Sequence, residues 1–113
     1  MDGVISFAAS GASARGAAGR QQVAEAAMRR YIPHTVAWCC AQAGEPISVT
    51  LPATLSAGEL VRRAERERLR LSVVDDPQAP DQMLELHYAH LAEAEIDEGI
   101  RRLGYCLARY SEL

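Results

Sequence analysis

Lysine is absent from this 113-residue sequence: all twelve basic residues are arginine. The chain therefore offers no lysine amine for Schiff-base chemistry. Positive charge is also in deficit, since 15 acidic residues leave a formal net charge of −3. Nothing in that balance draws the chain to nucleic acid or to an anionic membrane. Cysteine is sparse and odd in number, and Cys39 and Cys40 are adjacent, a spacing that seldom closes a disulfide. Reduced thiols and a cytoplasmic location are expected. No apolar run approaches the roughly 20 residues of a membrane span. The short apolar stretch from Val4 to Ala9 follows Asp2 rather than a basic segment, which argues against a secretory leader.

What is present reads as one ordinary globular domain, 49 % hydrophobic and 24 % charged. A chain of this length buries roughly 60 to 70 % of its unfolded surface in one core. Abundant Arg, Ala and Gly without Lys point to a GC-rich coding sequence. Met1 at the start and a helix running to the end fit a short gene better than an excised fragment.

Patterning divides the chain. Residues 8 to 19 are small and unpatterned, too poor in apolar surface to offset the entropy of ordering, so residues 1–19 are assigned to a flexible N-terminal arm and 20–113 to the folded domain. A first helix is expected over 20–31, with Val23, Ala27 and Tyr31 four apart, ending before Pro33. Thr35 to Cys40 is β-prone, Gly44 and Pro46 mark a turn, and Ile47, Val49 and Leu51 alternate with Ser48 and Thr50 as in a half-wet hairpin strand. Ser56 with Glu59 has capping-box spacing and opens a second helix carrying Leu60, Val61 and Ala64 inward. Leu69 to Val74 forms a strand, Pro77 and Pro80 force a loop, and Met83 to Ala89 alternates again. A last helix over 93–110 repeats Ile96, Ile100, Leu103, Leu107 and Tyr110, acidic at its start and basic later, as its dipole favours. The expected fold is α+β: a two-layer sandwich with a mainly antiparallel sheet of about four strands and helices on one face.

Gly44, the run Ile47-Ser48-Val49-Thr50-Leu51-Pro52, the strand Leu69 to Val74, and Met83 to Ala89 followed by Glu95 to Leu103 together resemble the small C-terminal domain of fold-type I, pyridoxal-phosphate-dependent aminotransferases. The aminotransferase-like half of GntR-type regulators is similar. The resemblance spans about residues 20–112 and is strongest at the C-terminal end. It implies the two-layer fold, and two departures from it bear on function. In that family the terminal strand carries an arginine whose planar fork grips the substrate carboxylate, and the matching position here is Glu85. The family's Pro-Gly turn after the middle strand is replaced by Val74-Asp75-Asp76-Pro77. Without a lysine or the large cofactor-holding domain, no cofactor is expected on this chain.

Glu85 and His87, two apart on one strand, leave the same face with Cα atoms about 6.5 to 7 Å apart. They are the candidate catalytic pair, able to serve as general acid and base; a solvated or partner-facing polar strand is the competing reading. Ser48, Thr50, Trp38 and Cys40 are the candidate ligand-binding residues beside them, with core packing the alternative for Trp38 and Cys40. Glu85, His87 and His90 follow no metal-ligand spacing, so no metal is assigned.

The expected function is that of a truncated aminotransferase-like domain without transaminase activity. It would act as a binding, accessory or dimerisation module, meeting a second copy or a protein partner through its open sheet face, with a small-molecule ligand also within reach. One alternative is a cofactor-independent isomerase, cyclase or hydrolase of specialised metabolism using Glu85 and His87. Another is one half of a split pyridoxal-phosphate enzyme, whose other chain supplies lysine and cofactor.

Overall fold

The computed structural model describes residues 3–8, 17–40, 45–74 and 82–111. Along the chain run β1 (Ile5–Ser6), α1 (Ala17–Tyr31), β2 (Ala37–Cys40), β3 (Ile47–Thr50), α2 (Ala57–Arg66), β4 (Leu69–Arg70), β5 (Ser72–Val73), β6 (Met83–Leu86) and α3 (Glu93–Ser111). A four-stranded antiparallel sheet has the order β2-β3-β6-β5, and β1 and β4 form a separate parallel pair. The α+β two-layer architecture expected from the sequence is the one observed.

Local chemistry sets the start of α2. The Ser56 hydroxyl accepts from the Glu59 amide at 3.2 Å and starts α2, satisfying one of the donors that a helix N-terminus leaves free. The Ser56 amide in turn donates to the Tyr110 hydroxyl at 3.1 Å, tying that cap to α3. Leu60 and Ala64 of α2 and Ile96, Ile100, Leu103 and Leu107 of α3 are fully buried, as helical spacing requires of one face. Against them stand Ile47, Val49, Leu84 and Leu86, the inward side of the sheet, each 0 % exposed. Helix α1 buries Ala24, Ala27 and Met28, while Val23 and Tyr31 only partly pack on the core. It lies so close to α3 that a Cβ on Gly104 would run into the Tyr31 carbonyl.

Three expectations are corrected. Residues 3–8, assigned to a flexible arm, contain a core strand: Ile5 is 6 % and Phe7 0 % exposed. The Ile5 and Phe7 amides donate to the Arg68 and Arg70 carbonyls at 3.0 and 2.8 Å, and the Phe7 carbonyl accepts from the His87 amide at 2.9 Å. Two buried side chains and three backbone hydrogen bonds hold the segment. Positions 9–16 lie outside the described residues, and α1 begins at Ala17 rather than Arg20. Second, the strand read over 69–74 is two strands in different sheets, β4 on β1 and β5 on β6. Leu69 and Leu71 both stay inward, so the alternation is kept while the backbone partner changes. Third, β6 ends at Leu86, because the next amide, that of His87, bonds Phe7 instead of a ladder partner. The turn at Gly44 and the loop at Pro77 and Pro80 lie outside the described residues.

The N-terminal strand is thus part of the core, and its removal has a measurable consequence. Phe7→Ala is expected to lower the stability by about 3 to 5 kcal/mol. Gly99→Ala, whose Cβ would sit 2.7 Å from the Phe7 ring, is expected to cost about 1 to 3 kcal/mol. Urea midpoints unchanged from the parent chain would remove Phe7 from the core.

Candidate functional site

Antiparallel register decides which side chains share a face. Cys39 pairs with Ser48, Ser48 with Glu85 and Glu85 with Ser72, so these four form one row across all four strands. Ala37, Thr50 and Met83 form the adjoining row. Both rows lie on the side of the sheet away from the buried Ile47, Val49, Leu84 and Leu86. Cys39, Ala37 and Thr50 are exposed and Ser48, Glu85 and Ser72 half-buried, as befits a face the helices do not cover.

The sequence-based candidates divide between the two faces. Ser48, Thr50, Glu85 and His87 belong to the open one. Trp38 pairs with Val49 and Cys40 with Ile47, which puts both on the inner side, packed against the core. The Gln21 amide nitrogen donates to the Cys40 sulfur at 3.3 Å. Trp38 and Cys40 therefore do not join Ser48 and Thr50 in one site. The thiol that does stand beside Ser48 is Cys39, not the Cys40 chosen from the sequence, and Ser72, which sequence reasoning missed, extends the row beyond Glu85. Alternation leaves one of two adjacent cysteines outward, but only the register identifies which.

Glu85 and His87 meet: His87 Nε2 lies 3.3 Å from Glu85 Oε1, with side chains 26 % and 39 % exposed for His87 and Glu85 respectively. A carboxylate accepts, so in this contact the imidazole donates from Nε2. The backbone of His87 is fixed by its bond to Phe7. His90 is engaged elsewhere, 2.8 Å from the Ser6 carbonyl, which can only accept from it. No group of three or more His, Cys, Asp or Glu side chains able to hold a metal occurs among the described residues. No helix among them is long and apolar enough to cross a membrane.

The inner thiols are unsuited to nucleophilic work. Burial pushes the Cys106 thiol up to about 11, and burial is also the main cause raising Cys40. Both stay protonated near neutral pH, where the thiolate is the reactive form. Cys39 is the exposed member of the three. Iodoacetamide at neutral pH is therefore expected to modify Cys39 at least tenfold faster than Cys106 in the folded chain, read by peptide mass mapping. Equal rates would contradict the burial of Cys106.

Comparison with known proteins puts this geometry in context. No protein-family profile matches the chain, and no curated protein matches it. Solved structures do. The alpha-aminoadipate aminotransferase of Thermus thermophilus, solved as a complex with N-(5'-phosphopyridoxyl)-L-leucine, superposes with a TM-score of 0.78 at 31 % identity, over 87 % of this chain and 26 % of that one. The multiple substrate aminotransferase of Thermococcus profundus gives 0.75 at 22 % identity, over 84 % of this chain and 24 % of that one. The kynurenine aminotransferase of Pyrococcus horikoshii gives 0.75 at 21 %, over 85 % and 24 %. This chain spans about a quarter of each. The described residues, helices packed with a four-stranded antiparallel sheet, have the fold of a small aminotransferase-like domain.

Proposed function

We propose that this chain is a docking domain without transaminase activity of its own, which meets a second copy or another protein surface through the open face of its sheet. The observation that carries this reading is Glu85 at the centre of the row Cys39, Ser48, Glu85, Ser72. The resemblance matches Glu85 to the position of a carboxylate-gripping arginine, and a carboxylate there repels the group an arginine would hold. Pyridoxal phosphate does not fit the residues of this chain either, because the Schiff base that anchors it requires a lysine and the sequence has none.

Two further facts support docking. In the Thermus relative about three quarters of the polypeptide lies outside the matched region, so the same fold there has much more protein to pack against. The open face here is four strands wide and carries hydroxyl and carboxylate groups that hydrogen-bond readily across an interface. A partner that supplied both a lysine and a carboxylate clamp would make the pair a split pyridoxal-phosphate enzyme, with this chain as its accessory half.

The second reading, a small cofactor-independent enzyme, is favoured by the 3.3 Å contact between His87 and Glu85, in which a carboxylate orients a base and leaves its other nitrogen without that partner. Sedimentation equilibrium separates the two readings. Docking to a second copy predicts a dimer that Ser48→Arg weakens at least tenfold, or about 1.4 kcal/mol, with the thermal midpoint retained. A chain that stays monomeric at all concentrations refutes the self-association form. The enzyme reading instead predicts a turnover activity that His87→Ala reduces by about 100-fold or more.

A further inference from the structure

On the helical layer, away from the open sheet face, the C-terminal end of α2 and the middle of α3 bound a cleft of about 390 Å³. Four arginines line it, Arg66, Arg68, Arg101 and Arg102, against two glutamates, Glu67 and Glu98. A second depression of about 250 Å³ adjoins it across Arg66, Glu67 and Tyr105 and adds Arg63 and Arg109. The chain as a whole is net −3, so this concentration of positive charge runs against the general balance.

The ion pairs show where the excess lies. Glu98 is shared by Arg101 at 2.6 Å and Arg102 at 2.9 Å, which neutralises one of those two cations. Arg102 is also occupied with the Gly3 and Arg68 carbonyls, at 2.7 and 3.1 Å. Arg66 and Arg68 form no ion pair among the described residues. Arg68 is moreover the single non-glycine residue with positive φ among them, at 60°. Glycine or asparagine adopts that left-handed conformation at lower cost, yet an arginine stands there and lines the cleft. Tyr105, 49 % exposed at the junction, presents an aromatic wall with Arg109 5.5 Å from its ring centroid.

We infer that this cleft binds a small molecule carrying a phosphate or diphosphate group. Guanidinium forks match the oxygens of phosphate two at a time, and a dianion answers the two cations that form no ion pair among the described residues. Concavity and a volume of a few hundred Å³ are the dimensions of a small-molecule site, whereas a nucleic-acid strand would have to run on over a net acidic surface. Arg66 and Arg68 hold the anion, and Tyr105 flanks whatever it is attached to.

The test is titration calorimetry of the full chain with inorganic pyrophosphate at fixed physiological ionic strength, beside malonate as a dicarboxylate. The expected result is saturable one-to-one binding that Arg66→Gln/Arg68→Asn weakens at least tenfold. Asparagine is chosen because it tolerates the left-handed backbone at 68. Arg29→Gln/Arg30→Gln removes the same charge elsewhere and is expected to leave the affinity unchanged. Absence of saturable binding, or an equal loss in that control, overturns the proposal in favour of diffuse charge attraction, and tighter binding of malonate overturns the phosphate assignment. Should the cleft variant fail to fold, amide shifts of the unaltered chain decide: changes confined to 66–68 and 98–105 support the site, and changes spread over the surface refute it.

Discussion

A phenylalanine ring laid against a glycine ties this domain together. Phe7 is wholly buried over Gly99 in α3, where any Cβ would collide with the ring and with Ile5. The strand beside Phe7 is only two residues long, so ladder bonds alone do not hold it. Burial of a side chain this size contributes about 1.5 to 3 kcal/mol, which offsets the backbone ordering of about one or two residues, so buried Ile5 and the backbone hydrogen bonds must add to it. Once in place, the segment bonds the Arg68 and Arg70 carbonyls on one side and the His87 amide on the other. It thereby joins the β1–β4 pair to the end of β6, across more than sixty residues of sequence. Closing a loop that long adds only slowly to the entropic cost.

Both candidate sites depend on that junction. His87 owes its backbone position to the Phe7 carbonyl, and its ring then falls within reach of Glu85. Arg102 spans from Glu98 to the Gly3 and Arg68 carbonyls, so one guanidinium ties α3 to both the N-terminal strand and the turn after α2. Hydrogen bonds from Arg101 and Arg102 hold the Glu98 carboxyl down at about 2. It remains a carboxylate throughout the physiological range and keeps both arginines in place. The two layers consequently carry different chemistry: hydroxyls, a thiol and the Glu85–His87 pair on the sheet, and guanidinium groups around Tyr105 on the helices.

Much of the scaffold was legible because its signals are local. The Ser56 cap, the alternation of Ile47, Val49 and Leu51, and the four-three repeat from Ile96 to Leu107 each concern residues within a turn or two of one another, and each element appears where those signals place it. Glu85 and His87 were legible for the same reason, being two apart in one extended segment. The N-terminal strand was not. Two apolar residues beside a run of alanine, serine and glycine make too weak a pattern, and the partner that gives them value, Gly99, lies far along the chain. The division of Leu69–Val73 between two sheets was hidden too, since inward Leu69 and Leu71 satisfy one strand or two equally well.

From the sequence alone followed the α+β sandwich and the lack of a lysine that cofactor anchoring needs, because periodicity, capping and composition are properties of neighbouring residues or of simple counts, and the aminotransferase resemblance followed from short stretches such as Ile47–Pro52 and Met83–Ala89. Tertiary structure decided the rest. Register, which sums contacts across four strands, turned Cys39 rather than Cys40 toward Ser48 and sent Trp38 inward. Packing of α2 against α3 gathered arginines that lie some thirty-five residues apart into one cleft. Neither outcome is encoded in any short segment, since a one-residue slip of a strand or a small rotation of a helix would reverse it.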